Sequence, residues 1–592
     1  MGIVAHTGRY LRSVAHLKPG QPAWRLYYRL RKGLGLVPRP RWPEDPPAFD
    51  TAALDRLEAL ARLWAAVAPV QAATLEPLRR GCFSFLRTPA EHEGKPPWQD
   101  TRLPRLWRYH LHYFDYARAW ALGALNDPEQ GEETPRRWIA GWMAENPPGT
   151  DVAWDAFPMA ARLMNWAVVE AVFRWEDPAM RCSYAQQARA LLRSLEYDVR
   201  ANHLLQNAAG LAVAGVLLNA PFLQRALDLL QRETGEQVLE DGGHYERSAM
   251  YHCHVLEWLI VVHAVLAEPP EWLTSAIGRM DRFLRGVCHP DGGIPLFGDA
   301  TLDGAAPPAT LHKLTAGAAE HLREGNTAAH AFPESGFYLL GTRGGDTRLI
   351  AKAGAPGPAY QLGHAHADAL SYECAVQGRR VLVDSGVHGY AESRFRGYCR
   401  STRAHNTVSV NGREQLEAWG VFRVGHRYTA EVHAWGRHAR GMVLRASHDG
   451  FKPYTHHRTI HFLEEGFWLV VDDIGGPGRI NAESFVHVHP DFTLAEEPGV
   501  WRAGPVALLP FGLDSAVSVR GGETPAQGWY CPEFGRALPA DTLILRAADS
   551  SQLRFGYAIV PNGAPAPAPA GLKALATELE TLEITEPIDV EP

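Results

Sequence analysis

Between residues 363 and 386 the chain reads GHAHADALSYECAVQGRRVLVDSG. Its last part, Val381–Asp384, is a short β-branched run closed by an aspartate and a glycine, which is how a buried strand reads. Working downstream, Thr407–Val410, Tyr428–Trp435, Met442–Ala446 and Phe467–Asp472 repeat that texture: short, rich in β-branched and aromatic residues, bounded by Gly, Asn and Asp. Upstream the period changes. Trp107–Ala124, Phe157–Trp175, Gln187–Leu195, Asn207–Asn219, Tyr245–Leu266 and Glu271–Val287 carry apolar residues at three- and four-residue intervals. Short breakers separate them, among them Asn146-Pro147-Pro148 and Asp241-Gly242-Gly243. The expectation is a multidomain chain, α then β: a basic, aromatic segment over 1–50, antiparallel helical hairpins over 51–331, and an antiparallel β-sandwich over 332–592. The run PNGAPAPAPAG at 561–571 reads as a low-complexity spacer.

Composition narrows the classes. A chain of 592 residues exceeds one hydrophobic core, consistent with two or more domains. With 59 basic against 66 acidic residues it is no polycationic nucleic-acid binder. Its seven cysteines lack any CxxC pair, against both a disulfide framework and a thiolate zinc site. No run approaches the ~20 apolar residues of a spanning helix. The first 35 residues have basic residues scattered through them and no signal-peptide apolar core, so the default expectation is the cytoplasm, with a periplasmic or membrane-peripheral place left open. The stretch from Arg9 to Arg31 reads as a helix packed on its own domain, ahead of one lying on an anionic membrane.

Chemistry-bearing residues concentrate in a few places. His364, His366 and Asp368 alternate, so a strand would place them on one face. Asp384 ends the next apolar strand, and His405 follows in RSTRAHNT. Two imidazoles and a carboxylate suit zinc or a similar divalent ion. In the helical half, Asn202-His203 opens an apolar helix, with Asn202 suited to capping it. The motif DGGHYERSAMYH at 241–252 presents Glu246, Arg247 and Tyr251 at a helix end. Each of these alone is bland: a cap, a satisfied core histidine, a core aromatic.

In combination and order they resemble the heparinase II/III-like polysaccharide lyases, a group that includes alginate-type exolyases. The resemblance rests on NH at 202–203, DGGHYERSAMYH at 241–252, DGGIPLFGDA at 291–300, GHAHADALS at 363–371, LVDSG at 382–386 and STRAHNTV at 401–408. LWRYHLHYFDY at 106–116 and WDAFPMAARLMNW at 154–166 extend it upstream. It covers roughly residues 75 to 500. It implies an incomplete (α/α) toroid followed by an antiparallel β-sandwich, and β-elimination at a uronic acid. In that chemistry a donor pair neutralises the uronate, a base takes the C5 proton and an acid protonates the departing O4.

The resemblance places Asn202 and His203 as neutralisers, Tyr251 as acid/base and His364 as the catalytic histidine. It makes His366, Asp384 and His405 ligands of a divalent metal, zinc by donor type, structural more than catalytic. Glu246, Arg247, Tyr390, Tyr398, Arg400 and Arg403 are expected around the substrate, with either tyrosine able to complete the site. A tyrosine base would need nearby charge to lower its pKa. One departure is Gln206, where some heparin-acting members have a carboxylate, which weakens heparin itself as substrate. Trp107, Trp154 and Trp419 are candidate sugar platforms, and His487-Val488-His489 reads as structural. The expected partner is an acidic polysaccharide, not nucleic acid, with a homodimer left open. A uronate C5 epimerase, a non-catalytic glycan-binding or assembly protein, and a metal-dependent hydrolase remain alternatives.

Overall fold

The structure is a computed structural model that describes residues 3–36, 41–43, 45–91, 95–316, 329–549, 551–565 and 568–587. It is helical first and antiparallel β afterwards. Two helices, α1 (Ile3–Val14) and α2 (Gly20–Gly33), form an N-terminal arm. The helical domain proper begins at Thr51–Val67, capped by Asp50, whose side chain accepts from the Ala53 amide. Its centre is the helix Ala201–Leu217, buried on nearly all sides and packed between Ala156–Phe173, Leu223–Gln237 and Ala249–Val265. Gly210 permits the closest crossing: a Cβ there would lie 2.8 Å from the carbonyl oxygen of Ala160. Any side chain at 210 would push these two helices apart.

The helix expected over Trp107–Ala124 is two helices, Arg105–Tyr113 and Asp115–Asn126. The break is Phe114, at φ 68°. Such a conformation costs a phenylalanine about 1–3 kcal/mol. Burial offsets it, because the ring stacks on Trp98 and Tyr116 and meets Trp166 edge-on. The apolar period ran unbroken through this corner, so the sequence pattern carried no sign of it.

In the β half a five-stranded meander runs from Ala329–Phe332 to Arg379–Leu382 in chain order. It packs on a nine-stranded sheet, where Leu340, Leu349 and Tyr372 of the meander share a core with Leu444, Ile460 and Trp468. A four-stranded sheet containing Val408–Val410 and Ile480–His487 closes the end. The outer face of the large sheet is covered by the helix Pro569–Glu580, with Leu572, Leu575 and Leu579 against Leu469, Val471 and Leu509. The expected spacer therefore runs directly into a packed helix. Its Ala and Leu content supports one, with Pro569 tolerated in the first turn.

The halves meet through an apolar seam, Phe283, Val287 and Phe297 against Phe332, Phe337 and Ile350. Beside it the Asp241 carboxylate accepts from the Ser335 amide (2.7 Å) and hydroxyl (2.6 Å). No described helix is long and apolar enough to cross a membrane.

Candidate active site

Above that seam, side chains from both halves converge on one cleft. From the helical side come Asn202 and His203, in the first turn of Ala201–Leu217. Asn202 is not the cap: the chain enters through Arg200 at φ 62°, and Asn202 lies one residue inside the helix. Its backbone N–H and Nδ2 donate to Glu246 Oε1 at 3.1 and 2.9 Å. A carboxylate at a helix N-terminus is favoured by the dipole and the free amides. Glu246, expected to touch substrate, is instead a buried brace for Asn202. Asn202 Oδ1 is buried without a partner.

His203 Nδ1 lies 2.9 Å from Glu196 Oε1, and the other oxygen of Glu196 accepts from Asn207 Nδ2 at 3.0 Å. Burial lowers the His203 pKa, but the Glu196 carboxylate more than compensates, and the net shift is upward. The imidazole thus holds its proton more tightly than a free histidine. Glu196, outside every motif quoted above, was missed by sequence reasoning; only its place seven residues before His203 hinted at it.

Tyr251 stands in the first turn of Ala249–Val265, whose cap is the Ser248 hydroxyl. Its ring stacks on the His364 imidazole, centroids 3.9 Å apart, and its hydroxyl is 3.0 Å from that of Tyr390. Burial, and then the negative charge of Asp299, push the Tyr251 pKa well above the usual phenol range. That corrects the expectation of a charge-lowered tyrosine: this phenol keeps its proton. Of the two tyrosine candidates, Tyr390 is at the site and Tyr398 is not. Tyr398 is buried, its hydroxyl on Ser385 (3.0 Å) and the Trp529 carbonyl.

His364 and His366 do not lie on a strand; residues 363–371 form turns. What unites them is Asp299, which accepts from His364 Nδ1 at 2.8 Å and lies 2.9 Å from His366 Nε2. Arg396 clamps the same carboxylate with both guanidinium nitrogens. Burial would raise the Asp299 pKa, but Arg396 and the two imidazoles hold it well below the usual carboxylate range. With Nδ1–H committed to Asp299, His364 leaves Nε2 as its unprotonated nitrogen, 3.7 Å from Glu246 Oε2. Asp299 is the second residue missed; it stood in the DGGIPLFGDA motif with no role attached. Gly298 before it sits at φ 65°, a left-handed turn that brings the loop against the His364 carbonyl. Asp368 does not join the histidines: it pairs with buried Lys352 at 2.7 Å.

The arginines divide. Arg247 donates to the carbonyls of Ser335 and Glu334, bracing the domain seam rather than the cleft. Arg400 is buried against the carbonyls of Ala365 and Val421, and burial pushes its pKa down to about 9. Arg403 is half-buried, and its carbonyl accepts from Gln527. None of the three shows a hydrogen bond to Asn202, His203, Tyr251 or His364. Trp107 is fully buried and so is no sugar platform; Trp154 and Trp419 are half-buried, the first donating to the Asn146 carbonyl and resting on Trp142, the second donating to Ser13 with Arg423 over its ring. His487 is buried on Asn406 and the Arg403 carbonyl, a structural histidine.

The expected metal ligands are only partly assembled. His405 Nδ1 meets Asp384 Oδ2 at 2.7 Å, and the His366 and His405 rings are 5.3 Å apart. Two nitrogens, His366 Nδ1 and His405 Nε2, are buried with no partner. Among the described residues no three His, Cys, Asp or Glu side chains converge as a metal site. Asp384, engaged by His405 and the Gly386 amide, is turned to hydrogen bonding.

Beyond Tyr251 the cleft continues as a cavity of about 270 Å³, lined by Gln206, His254, Trp258 and Tyr390 among others. Three carboxylates reach it, Asp115, Glu257 and Asp303, against one guanidinium, Arg118. Arg118 is already paired with Glu257 at 2.6 Å.

Comparison with known proteins agrees with this architecture. Residues 97–314 match the model for the heparinase II/III N-terminus and 324–558 that for the heparinase II/III-like C-terminal region. A heparin-sulfate lyase of Pedobacter heparinus is 23% identical over 411 residues, 62% of this chain and 60% of that one. FtsZ-localized protein C of Caulobacter vibrioides is 28% identical over 382 residues, 61% and 59% of the two chains. A heparinase III crystal structure superposes with TM-score 0.64 at 15% identity, covering 92% of each chain. The chain spans about half to three-fifths of the length of the curated relatives it matches. With two consecutive domain models matched in order across most of its length, the chain belongs to the heparinase II/III-like family.

Proposed function

We propose that this protein is a polysaccharide lyase that cleaves a uronate-containing glycan by β-elimination. The observation that carries the reading is the stacked Tyr251–His364 pair, with Tyr390 on the tyrosine hydroxyl and the Asn202–His203 pair from the facing helix. Protonated His203 binds the uronate carboxylate, with Asn202 beside it able to donate only the Nδ2 hydrogen that Glu246 does not take, and the charge withdrawn makes the C5–H acidic. His364 Nε2 takes the C5 proton; the released electron pair forms the C4–C5 double bond as C4–O4 breaks. Tyr251, held protonated by burial, gives its proton to O4, and Tyr390 is placed to pass it a replacement. The products are a new nonreducing end bearing a 4,5-unsaturated uronate and a free hydroxyl on the leaving chain.

The cavity sharpens the substrate class. Its carboxylates outnumber its single, already paired arginine, which disfavours a sulfo group in that position. Gln206, with its Oε1 buried and unpartnered, is suited to accept from a sugar hydroxyl or amide. The sugar entering there is therefore unsulfated. A divalent ion, zinc by donor chemistry, would be held by the orphaned His366 Nδ1 and His405 Nε2 and would stiffen the loop carrying His364. No step of the elimination runs through it. Metal analysis of purified protein, with melting before and after chelation, tests that part.

The direct test is ultraviolet absorbance of the unsaturated uronate on hyaluronan, alginate, chondroitin sulfate and heparan sulfate. Absorbance should grow on at least one unsulfated polymer and fall about 10²–10⁴-fold in Tyr251→Phe. Silence of the folded wild type on every polymer would refute the lyase reading. Activity confined to the sulfated polymers would refute only the reading of the cavity.

A further inference from the structure

The N-terminal arm carries a feature the cleft does not use. Residues 1–43 contain nine lysines and arginines and no aspartate or glutamate, in a chain of net charge −7. The arm is docked on one side. In α2, Gln21 donates to the Asp198 carbonyl, Trp24 stacks on Tyr197, Tyr28 bonds the Leu195 carbonyl and Arg31 donates to the Arg193 carbonyl at 2.7 Å. In α1, Arg12 pairs with Glu417 at 2.8 Å. The arm is thus fastened to both halves of the protein.

The opposite face of α2 is apolar and faces solvent. Leu26, Tyr27 and Leu30 are 59, 49 and 55% exposed, and Leu34 and Leu36, just past the helix, are 70 and 63% exposed. Nine of the thirteen exposed large hydrophobic side chains among the described residues lie between Tyr10 and Trp42. At 100° per residue, Leu26, Leu30, Leu34 and Tyr27 fall within one stripe about a quarter of the circumference wide. Arg29 borders that stripe on one side and Arg31 on the other, while Arg25 and Lys32 lie farther round, toward the docked face, with Lys32 3.9 Å from Asp151. Scattered exposed leucines need no explanation, but a contiguous, cation-bordered stripe on an outer helix does.

We propose that α2 is a membrane-surface anchor: its leucine–tyrosine stripe enters the interface of an anionic lipid leaflet while the bordering cations engage the headgroups. The geometry suits an interfacial helix, apolar on one face and basic at the edges, lying flat rather than spanning. Charge selects the occupant. A soluble polyanion would satisfy the arginines but leave the leucines wet, whereas an anionic bilayer satisfies both. The buried face of α2 rests on the segment 195–199 that also carries Glu196, so the anchored surface and the cleft are joined by one short stretch of chain. The inference does not rest on the lyase reading.

Flotation of the full-length protein with vesicles tests it, comparing phosphatidylcholine alone with phosphatidylcholine containing phosphatidylglycerol. Binding is expected only with the anionic lipid and should weaken as salt is raised. The double variant Leu30→Ser/Leu34→Ser, at exposed positions, should keep its melting temperature and lower vesicle partition about tenfold to a hundredfold. Arg29→Gln should lower it about fivefold. Wild type that stays unbound at low salt overturns the proposal, as does binding indifferent to the leucine variant. A dimer in sedimentation velocity without lipid, dissociated by that variant, would assign the stripe to a second copy instead.

Discussion

The two walls of the cleft hold their working side chains by different means. The helical wall uses regular structure: Asn202, His203 and Tyr251 all sit in the first turn of a buried helix, and each orientation follows from the helix axis plus one nearby partner. The β wall has no regular element at the site. His364 lies in a turn and Tyr390 in a loop, so the local backbone imposes little. Orientation there comes from a buried ionic knot, with Asp299 holding His364, His366 and Arg396 at once. Helix geometry tolerates the loss of one partner, whereas a knot with a single central carboxylate does not.

Asp299→Asn is the variant that breaks the comparison hardest. The amide can no longer fix the His364 tautomer, and Arg396 is left buried without its counter-charge. Activity should fall about 10³-fold or more, and stability by about 3–5 kcal/mol for a broken buried ion pair. Thermal melting and absorbance turnover on the same preparation separate the two effects. An active, stable Asp299→Asn protein would show that the loop wall is held by something else.

The contrast also explains what could be read from the sequence. The helix-then-strand order was legible because burial leaves a period in each half, and Glu271–Val287 matches its expected helix end for end. The helical side of the site was legible too, since Asn202-His203 opens an apolar helical run and Tyr251 follows the Asp241-Gly242-Gly243 turn. What holds them was not. Glu196, Glu246 and Asp299 act across sequence separations of 7, 44 and 65 residues, and such pairings leave no periodicity. The arginines expected around the substrate went astray for the same reason: spacing could not show that Arg247 braces the domain seam or that Arg400 turns inward onto the carbonyls of Ala365 and Val421.

Glu196→Gln tests the helical wall and should be milder. The helix keeps His203 in place, so the loss is charge rather than position, about tenfold in turnover. The pH profile carries the sharper signature. Glu196 raises the His203 pKa, so the protonated form persists to higher pH than in a free imidazole. The His203–Glu196 pairing contributes stability fully below the unfolded histidine pKa, near 6.5, and loses it as pH rises through the raised folded value. In Glu196→Gln the alkaline limb of the activity profile should move to lower pH. An unmoved limb would mean that another group titrates there.

The smallest expected effect belongs to Tyr398→Phe, which sharpens the comparison from the β side. Sequence reasoning placed Tyr398 level with Tyr390, yet its hydroxyl serves Ser385 and the Trp529 carbonyl inside the β domain. Removing that hydroxyl leaves Ser385 Oγ short of a partner, a cost of about 1 kcal/mol in stability, with kcat/KM unchanged within about twofold. Tyr390→Phe, measured beside it, removes the hydroxyl 3.0 Å from Tyr251 and should lower kcat while barely touching stability. If both variants behaved alike, the loop wall would be one cooperative unit. If they part as expected, catalysis on that side rests on the few loop residues tied to Asp299 and Tyr251, and the surrounding polar core is scaffold.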